Sequence, residues 1–367
     1  MPSAPKPRIP LHLKLRKTLI AQFDQYSDGE RLPTEMEIAE KHKISRLTVH
    51  KVLNELQRDG YVIRQAGRGT FVRHGDRQVH TDEIRTSKGS ILVAYPDWFS
   101  FDFWSKLRRA RQLAHSKSLG LVDYMFTSET MYESLQKLWE SRDDIRGVII
   151  IPPAGPISDD AVKLFDSFGV PVVLLSPNAK LPKDVKNVYM VNQDYGQIGY
   201  IDVSTLLDRG HEKIAYIASE PWDESYRLQL EGMRKALADR DLPRKTLWSP
   251  KRHVKPWEPA SNLAYEITKD VLVKVEPTAL IFDNMPDAMG GMRAAWESPD
   301  VDAEKLTVVL NAPWLGLEKY FWPPPILIAC ELSEIVDQAF AIILGEYKST
   351  DRKILVNVRV KDGFRNP

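Results

Sequence analysis

Residues 32–72 read LPTEMEIAEKHKISRLTVHKVLNELQRDGYVIRQAGRGTFV, and this stretch decides the fold of the first part of the chain. Thr34-Glu35-Met36-Glu37 is a capping box: the Thr34 hydroxyl can accept the Glu37 amide while Glu37 reaches back to the Thr34 amide. It opens a short helix carrying Ile38 and Ala39. Ile44-Ser45 marks a turn and a second N-cap, and Val49, Val52, Leu53 and Leu56 then fall on one helical face. Asp59-Gly60 ends that helix. Tyr61-Val62-Ile63-Arg64 and Thr70-Phe71-Val72-Arg73 predict two strands around the glycine-rich tip Gln65-Ala66-Gly67-Arg68-Gly69. Upstream, Leu11, Leu15, Leu19 and Phe23 recur every four residues, so a further helix opens at Pro10 and stops at the SDGE of 27–30. Three helices and a two-stranded wing make an α+β winged helix-turn-helix over residues 1–73.

The polar face of the third helix carries Arg46, Leu47, His50, Lys51 and Asn54. A helix of this kind enters a major groove by its first turn, with Arg46 leading and Ser45, Thr48 and the N-terminal amides facing phosphate. Gly67 and Gly69 flank Arg68, and their conformational freedom would let the wing tip approach a minor groove closely. Thr34, Glu35, Ser45, Arg46, Leu47, Thr48, His50, Lys51, Gly67, Arg68 and Gly69 are therefore the candidate contacts to double-stranded DNA.

Charge agrees with that division. The 367 residues carry a net charge of +1, but residues 1–88 hold 17 basic and 11 acidic side chains, a net +6 that leaves −5 for the rest. A small basic module ahead of a larger acidic body suits a nucleic-acid reader joined to a regulatory domain. The single cysteine, Cys330, excludes a disulfide framework and a multi-cysteine zinc site. No stretch approaches the ~20 apolar residues of a membrane span, and MPSAPKPRIP has no apolar core of the signal-peptide kind. The expectation is a cytoplasmic protein with no membrane partner, no metal and no cofactor.

The blocks Leu32-Pro33-Thr34-Glu35, Ile44-Ser45-Arg46-Leu47-Thr48-Val49, Asp59-Gly60-Tyr61 and Gly67-Arg68-Gly69-Thr70-Phe71-Val72 resemble the GntR family of bacterial regulators over about residues 10–73. The resemblance implies operator binding. Two positions depart from it: Met36 and His50 stand where the family usually has DNA-contacting arginines.

Residues 74–88 are polar and without periodicity, and read as a linker. From Gly89 the chain alternates compact apolar strands with helices. The strands are Ser90–Tyr95, Leu121–Met125, Gly147–Pro152, Pro171–Leu175, Val188–Val191, Lys213–Ala218, Ala279–Phe282 and Leu306–Leu310. The helices run at about 103–118, 132–140, 158–168, 195–208 and 224–239. That order predicts parallel sheets covered on both faces, and residues 89–367 are long enough for two lobes. Ligand in such a fold binds beyond the C-terminal strand ends. Asp97, Trp98, Phe101, Phe103, Asp194, Trp222, Arg227, Asp283, Asn284 and Trp314 follow those ends and are the candidate effector contacts. Indole faces cover the C–H patches of a sugar, and carboxylate, amide and guanidinium groups fix its hydroxyls. Trp139, Trp248 and Trp296 are read as packing residues in or beside helices.

Asp194-Tyr195-Gly196-Gln197-Ile198-Gly199, Leu206 to Ile217, Tyr226 to Met233 and Pro277 to Asn284 resemble the effector domain of the LacI/GalR regulators, which is periplasmic-binding-protein-like. The resemblance implies that Asp194, Arg227 and Asn284 contact effector. The family's acidic block after the penultimate strand is replaced here by Leu310-Asn311-Ala312-Pro313-Trp314.

A GntR-type reader joined to a LacI-type sensor resembles the arabinose-responsive repressors. It implies a homodimer on a pseudo-palindromic operator, controlled by a small molecule, a sugar, bound between two lobes. The alternative is a sensor that has lost sugar binding and serves dimerisation or protein contact. An enzyme is the third class, but no Walker A, G-x-S-x-G, H-E-x-x-H, Rossmann or pyridoxal-phosphate signature is present.

Overall fold

The structure is a computed structural model that describes residues 15–16, 18–19, 22–23, 25–27, 29–58, 61–65, 69–72, 89–98, 100–127, 130–255, 258–312 and 316–361. The chain divides into two compact units, residues 1–81 and 82–367. Gly67, Arg68, Trp314, the Asp59-Gly60 stop and the 74–88 linker lie outside the described residues.

In the first unit the capping box forms as read. Thr34 caps the Glu35–His42 helix, accepting from the Glu37 amide, and the Glu37 carboxylate accepts the Thr34 amide at 2.7 Å. Ser45 accepts the Thr48 amide at 3.2 Å and starts the Arg46–Arg58 helix. Strands β1 (Val62–Gln65) and β2 (Gly69–Val72) pair antiparallel. Residues 30–32 extend this wing: Leu32 donates to Thr70 and Val72 donates to Glu30, each at 2.8 Å. Leu15, Leu19 and Phe23 are helical and pack with Ile38, Val49, Val52, Leu53, Leu56, Val62 and Val72 into one core. Leu11 and the Pro10 start lie outside the described residues, and the described part of the four-residue stripe is buried.

The second unit holds two six-stranded sheets. Lobe I is ordered β13-β7-β6-β5-β3-β4, with β3 Ser90–Pro96, β4 Gly120–Phe126, β5 Ile145–Ile150, β6 Val172–Leu174, β7 Val188–Gln193 and β13 Lys353–Val356. Every neighbouring pair in it is parallel. Lobe II is ordered β14-β12-β11-β10-β8-β9, with β8 Ile214–Ile217, β9 Leu247–Trp248, β10 Ala279–Phe282, β11 Thr307–Leu310, β12 Ile326–Ala329 and β14 Arg359–Lys361. It is parallel except for β14 against β12.

Alternation along the lobe II strands explains their near-continuous apolar sequence. Ala215, Ile217, Leu280, Phe282, Val308 and Leu310 pack under the Ala260–Lys274 and Met285–Glu297 helices. Ile214, Tyr216, Ala279, Ile281, Val309, Ile326 and Ile328 pack under the Tyr195–Leu207 and Glu224–Ala238 helices. Both faces are covered, so neither could be polar. The latter two helices touch backbone to backbone. A Cβ on Gly232 would sit 2.0 Å from the Gly196 carbonyl, and one on Gly199 would sit 1.9 Å from that of Gln229.

The chain passes between the lobes three times: after Gln193, between Ala329 and Leu332, and between Val356 and Arg359. The Leu332–Ile343 helix returns to pack on lobe I. Helix ends shift by one or two residues from the reading, the first helix of the second unit running Phe101–Ser116. Trp248 is a packing residue as expected: it follows the short Arg244–Thr246 helix, lies on β9 paired with Ala215, and packs on the lobe II core.

Candidate functional site

The recognition face of the first unit is organised by one carboxylate. Glu35, the first residue of its helix, accepts from His50 Nδ1 at 2.7 Å and from Arg46 Nε at 3.3 Å, and it also pairs with Arg64 of β1. Arg64 in turn donates to Asn54. Arg46, His50 and Asn54 are spaced i, i+4, i+8 on the recognition helix, so a single stripe is tied to both the preceding helix and the wing. Burial pushes the Glu35 pKa up, but the His50 and Arg46 hydrogen bonds and the His50 and Arg64 charges outweigh it and hold the group below its ordinary value.

Sequence reading placed Glu35 among the DNA contacts; in the structure its side chain is 15% exposed and turned to its own protein's cations. Arg64 was absent from that reading, because β1 alternation alone does not say what a strand side chain meets. Leu47 is 78% exposed and Met36 62% exposed, so this face is apolar as well as basic. Lys51 is exposed beside them. Gly69 has a φ of 122°, and a Cβ there would meet Arg31 Nε at 2.6 Å.

In the second unit the strand ends carry two groups of side chains. The first lines a cavity of about 800 Å³ between the Phe101–Ser116 helix and the ends of β7, β11 and β12. Phe101 and Trp104 form its aromatic wall, ring centroids 5.6 Å apart, and Arg108 lies 5.6 Å over the Trp104 ring. Most charges at its edge are already paired: Lys106 with Asp102 at 2.6 Å, Arg109 with Asp337 at 2.7 Å, Lys361 with Glu331 at 2.7 Å. Ser105 Oγ and Glu318 Oε2, on two lining residues, are buried without a hydrogen-bond partner among the described residues. Such atoms are costly unless something else satisfies them.

The second group sits after β8 and β10. Tyr216 donates to Asp283 at 2.7 Å. Burial and the Asp223 charge push the Asp283 pKa up to about 6, and burial with the Asp283 charge pushes Glu220 up to about 7. Trp222 stacks on Tyr226 at 4.9 Å, and Tyr226 stacks on Tyr216 at 5.9 Å. Asn178 of lobe I donates to Asp223 of lobe II at 2.8 Å and accepts the Glu224 amide at 3.2 Å, which ties the two lobes together across the strand ends.

Of the candidate effector residues, Phe101 lines the cavity. Asp97 is exposed, while Trp98 and Phe103 face each other at 6.1 Å with Tyr95 behind. Asp194 and Asn284 are helix N-caps, accepting the Gln197 and Asp287 amides at 2.9 Å. Arg227 departs most from its expected place. It is about half exposed and held between Glu224 and Glu231 on the solvent side of its helix. Gln229, two residues on, takes the inward face and reaches Asn311 at the end of β11 at 2.8 Å. A shift of two residues along a helix moves a side chain by about 200°, and the motif match alone could not choose between the faces. Asn311, in the block that stands in place of the family's acidic one, also donates to buried Asp202 at 2.7 Å and so is built into the interior.

Among the described residues no cluster of metal-ligating side chains occurs, and no helix is long and apolar enough to cross a membrane.

Residues 14–72 match the family described as bacterial regulatory proteins, gntR family, and residues 97–305 match periplasmic binding proteins and sugar binding domain of LacI family. The arabinose metabolism transcriptional repressor of Geobacillus stearothermophilus is 26% identical over 212 residues, which cover 56% of this chain and 56% of that relative. The chain thus spans about half the length of that curated relative. A LacI family transcriptional regulator of Enterococcus faecium, solved with bound ribose, superposes with a TM-score of 0.61 at 22% identity, covering 75% of this chain and 97% of that one. The Escherichia coli transcriptional repressor ascG gives a TM-score of 0.60 at 19% identity, with coverage of 75% and 98%. These relatives are regulators rather than enzymes, and the likeness to the solved structures is one of fold. The two-lobed body, three crossings and strand-end cavity accord with a match over more than half of the chain: the protein belongs to the LacI-type family of periplasmic binding and sugar-binding domains, and it carries a gntR-family helix-turn-helix ahead of that domain.

Proposed function

We propose that this chain is a ligand-controlled transcriptional repressor. Residues 1–73 read an operator half-site, residues 74–88 connect, and residues 89–367 bind a small-molecule effector, a sugar, and pair two chains into a homodimer in the cytoplasm. The observation that carries the reading is the presence in one chain of an exposed recognition stripe (Arg46, Leu47, His50, Lys51) and a cavity with two unpartnered polar atoms, Ser105 Oγ and Glu318 Oε2. The stripe offers cations and apolar surface to a major groove, and the cavity offers an aromatic wall and orphan polar groups to a polyol. Ligand shifts DNA affinity only through its differential affinity for the two lobe arrangements. The Asn178 contacts to Asp223 and to the Glu224 amide are hydrogen bonds between the lobes that such a change keeps or breaks.

The test pairs thermal shift across a panel of pentoses, hexoses and their phosphates with fluorescence anisotropy on duplexes from the promoter of the chain's own gene and its neighbours. Stabilisation by one sugar that also changes duplex affinity supports the proposal. Duplex binding with no response to any sugar favours the sensor that has lost its ligand, for which the inward-tied Asn311 is the supporting observation. Absence of duplex binding at low salt overturns the reading.

A further inference from the structure

His50 stands one helical turn after Arg46, about half exposed, on the stripe assigned to DNA. Its Nδ1 lies 2.7 Å from Glu35 Oε1. An ionised carboxylate has no hydrogen to give, so the hydrogen in that bond belongs to Nδ1. The neutral ring is thereby fixed as the Nδ1–H tautomer, with Nε2 as a bare acceptor. Among the described residues the ring has no second hydrogen-bond partner, so Nε2 is the atom left for a ligand.

The charged groups around the ring come from three elements: Glu35 from the preceding helix, Arg64 from β1, and Arg46 from its own helix. Glu35 engages the imidazole and both guanidiniums at once. Losing its charge would free the imidazole to rotate and exchange tautomers, and would release both guanidiniums.

We propose that Glu35 is a positioning residue that locks His50 in one tautomer, and that His50 Nε2 reads a base edge whose identity changes when the ring takes up a proton. This rests on the reading of the Arg46–Arg58 helix as the DNA-facing element. A bare Nε2 accepts from the amino group of adenine or cytosine in the major groove. With a proton added at Nε2 and none lost at Nδ1, the same atom donates, and its complement becomes an acceptor: N7 or O6 of guanine, N7 of adenine or O4 of thymine. An arginine at this position can only donate. A chain carrying His50 instead has two half-site preferences rather than one, and Glu35 keeps the reading atom the same in both.

The experiment is selection of the full-length protein on a duplex library with a randomised core, at about pH 8 and about pH 6. At one position per half-site the ratio of cytosine to guanine or thymine should fall by about tenfold from the higher pH to the lower, adenine serving either state. His50→Arg should select guanine at both pH values, and His50→Gln should lose the pH effect. Glu35→Gln should keep specific binding but shrink the pH-dependent change. Nitrogen-15 spectra of the His50 ring should show Nδ1–H in the parent chain and a tautomer mixture in Glu35→Gln. A parent chain whose ratio is the same at both pH values, while binding its site specifically, overturns the proposal and leaves the DNA reading intact. So does a ring found as Nε2–H. Selection of no motif at either pH sinks the DNA reading and this proposal with it.

Discussion

Glu35 in the N-terminal unit and Asp202 and Asp287 in lobe II are all carboxyl groups drawn in from solvent, but they are partnered differently. Glu35 is met by an imidazole and two guanidiniums and is held below its ordinary pKa. Asp202 is met by two amides, Asn311 at 2.7 Å and Gln229 at 3.3 Å, and burial drives its pKa well up. Asp287 is met by Ser219, whose amide donates to it at 3.2 Å, and burial again drives the pKa well up. The Ser219 hydroxyl donates to the Ala260 carbonyl at 3.0 Å. The same hydroxyl also meets the Asp287 carboxyl, so its hydrogen is shared between the two acceptors. A carboxyl at a surface that meets charged partners keeps its charge and uses it to aim cations. A carboxyl that closes a fold gives up its charge and works as a neutral hydrogen-bonding group.

The largest test of that contrast is at Asp287. Asp287→Ala strands the Ser219 amide inside lobe II and should cost about 3 kcal/mol in chemical denaturation of the full chain. Asp287→Asn supplies the donor and acceptor of a protonated carboxyl and should cost about 1 kcal/mol or less. Equal losses for the two variants would mean that the group is ionised, and the comparison with Glu35 would break.

The next test is pH. A carboxyl whose folded pKa exceeds its unfolded value binds its proton more tightly when folded. The stability it contributes is therefore full below about pH 4 and lost as pH rises. With Asp283 raised to about 6 and Glu220 to about 7, the second unit should lose stability between about pH 4 and pH 7, by about 2 kcal/mol from Asp283 alone. Asp283→Asn and Glu220→Gln should each flatten that segment in urea titrations. Glu35 has the opposite sign, its contribution present above the ordinary carboxylate range and lost on acidification, so Glu35→Gln should leave the falling segment untouched.

Arg46 tests the surface side of the comparison. Arg46→Ala should weaken operator binding by about 1–3 kcal/mol in anisotropy titrations and reduce the salt slope if the contact is to phosphate. Its side chain is 72% exposed, so the melting temperature should not move. A variant that binds normally would place the reading elsewhere on the stripe.

Much of this was legible in the residues because the signals were local. Thr34 and Glu37 announce their capping box, and the apolar stripe of Val49, Val52, Leu53 and Leu56 announces a buried face. Ala279–Phe282 and Thr307–Leu310 announce strands covered on both sides. The rest depended on partners distant in sequence. Nothing near Glu35 in the chain says that Arg64, 29 residues on, will close on it. Nothing near Gly196 says that Gly232 will press against its carbonyl. The Lys353–Val356 and Arg359–Lys361 strands are short and carry mixed polarity, because each lies at a sheet edge and is largely exposed. Their identity as strands follows from pairing with β7 and β12, which periodicity does not contain.

The smallest expected effect is the one that separates motif from geometry. The family resemblance assigns Arg227 to the effector, whereas the helix turns it to Glu224 and Glu231 and gives the inward face to Gln229. Arg227→Ala should therefore leave the melting temperature and the sugar-induced shift unchanged, since exposed ion pairs of this kind contribute little. Gln229→Ala should do more, because it removes the amide that meets both Asn311 and Asp202 and leaves those buried groups short of a partner. Loss of the sugar response in Arg227→Ala, with Gln229→Ala responding normally, would show that the guanidinium leaves its two glutamates when ligand binds. The outward placement would then describe only the unliganded arrangement of the helix.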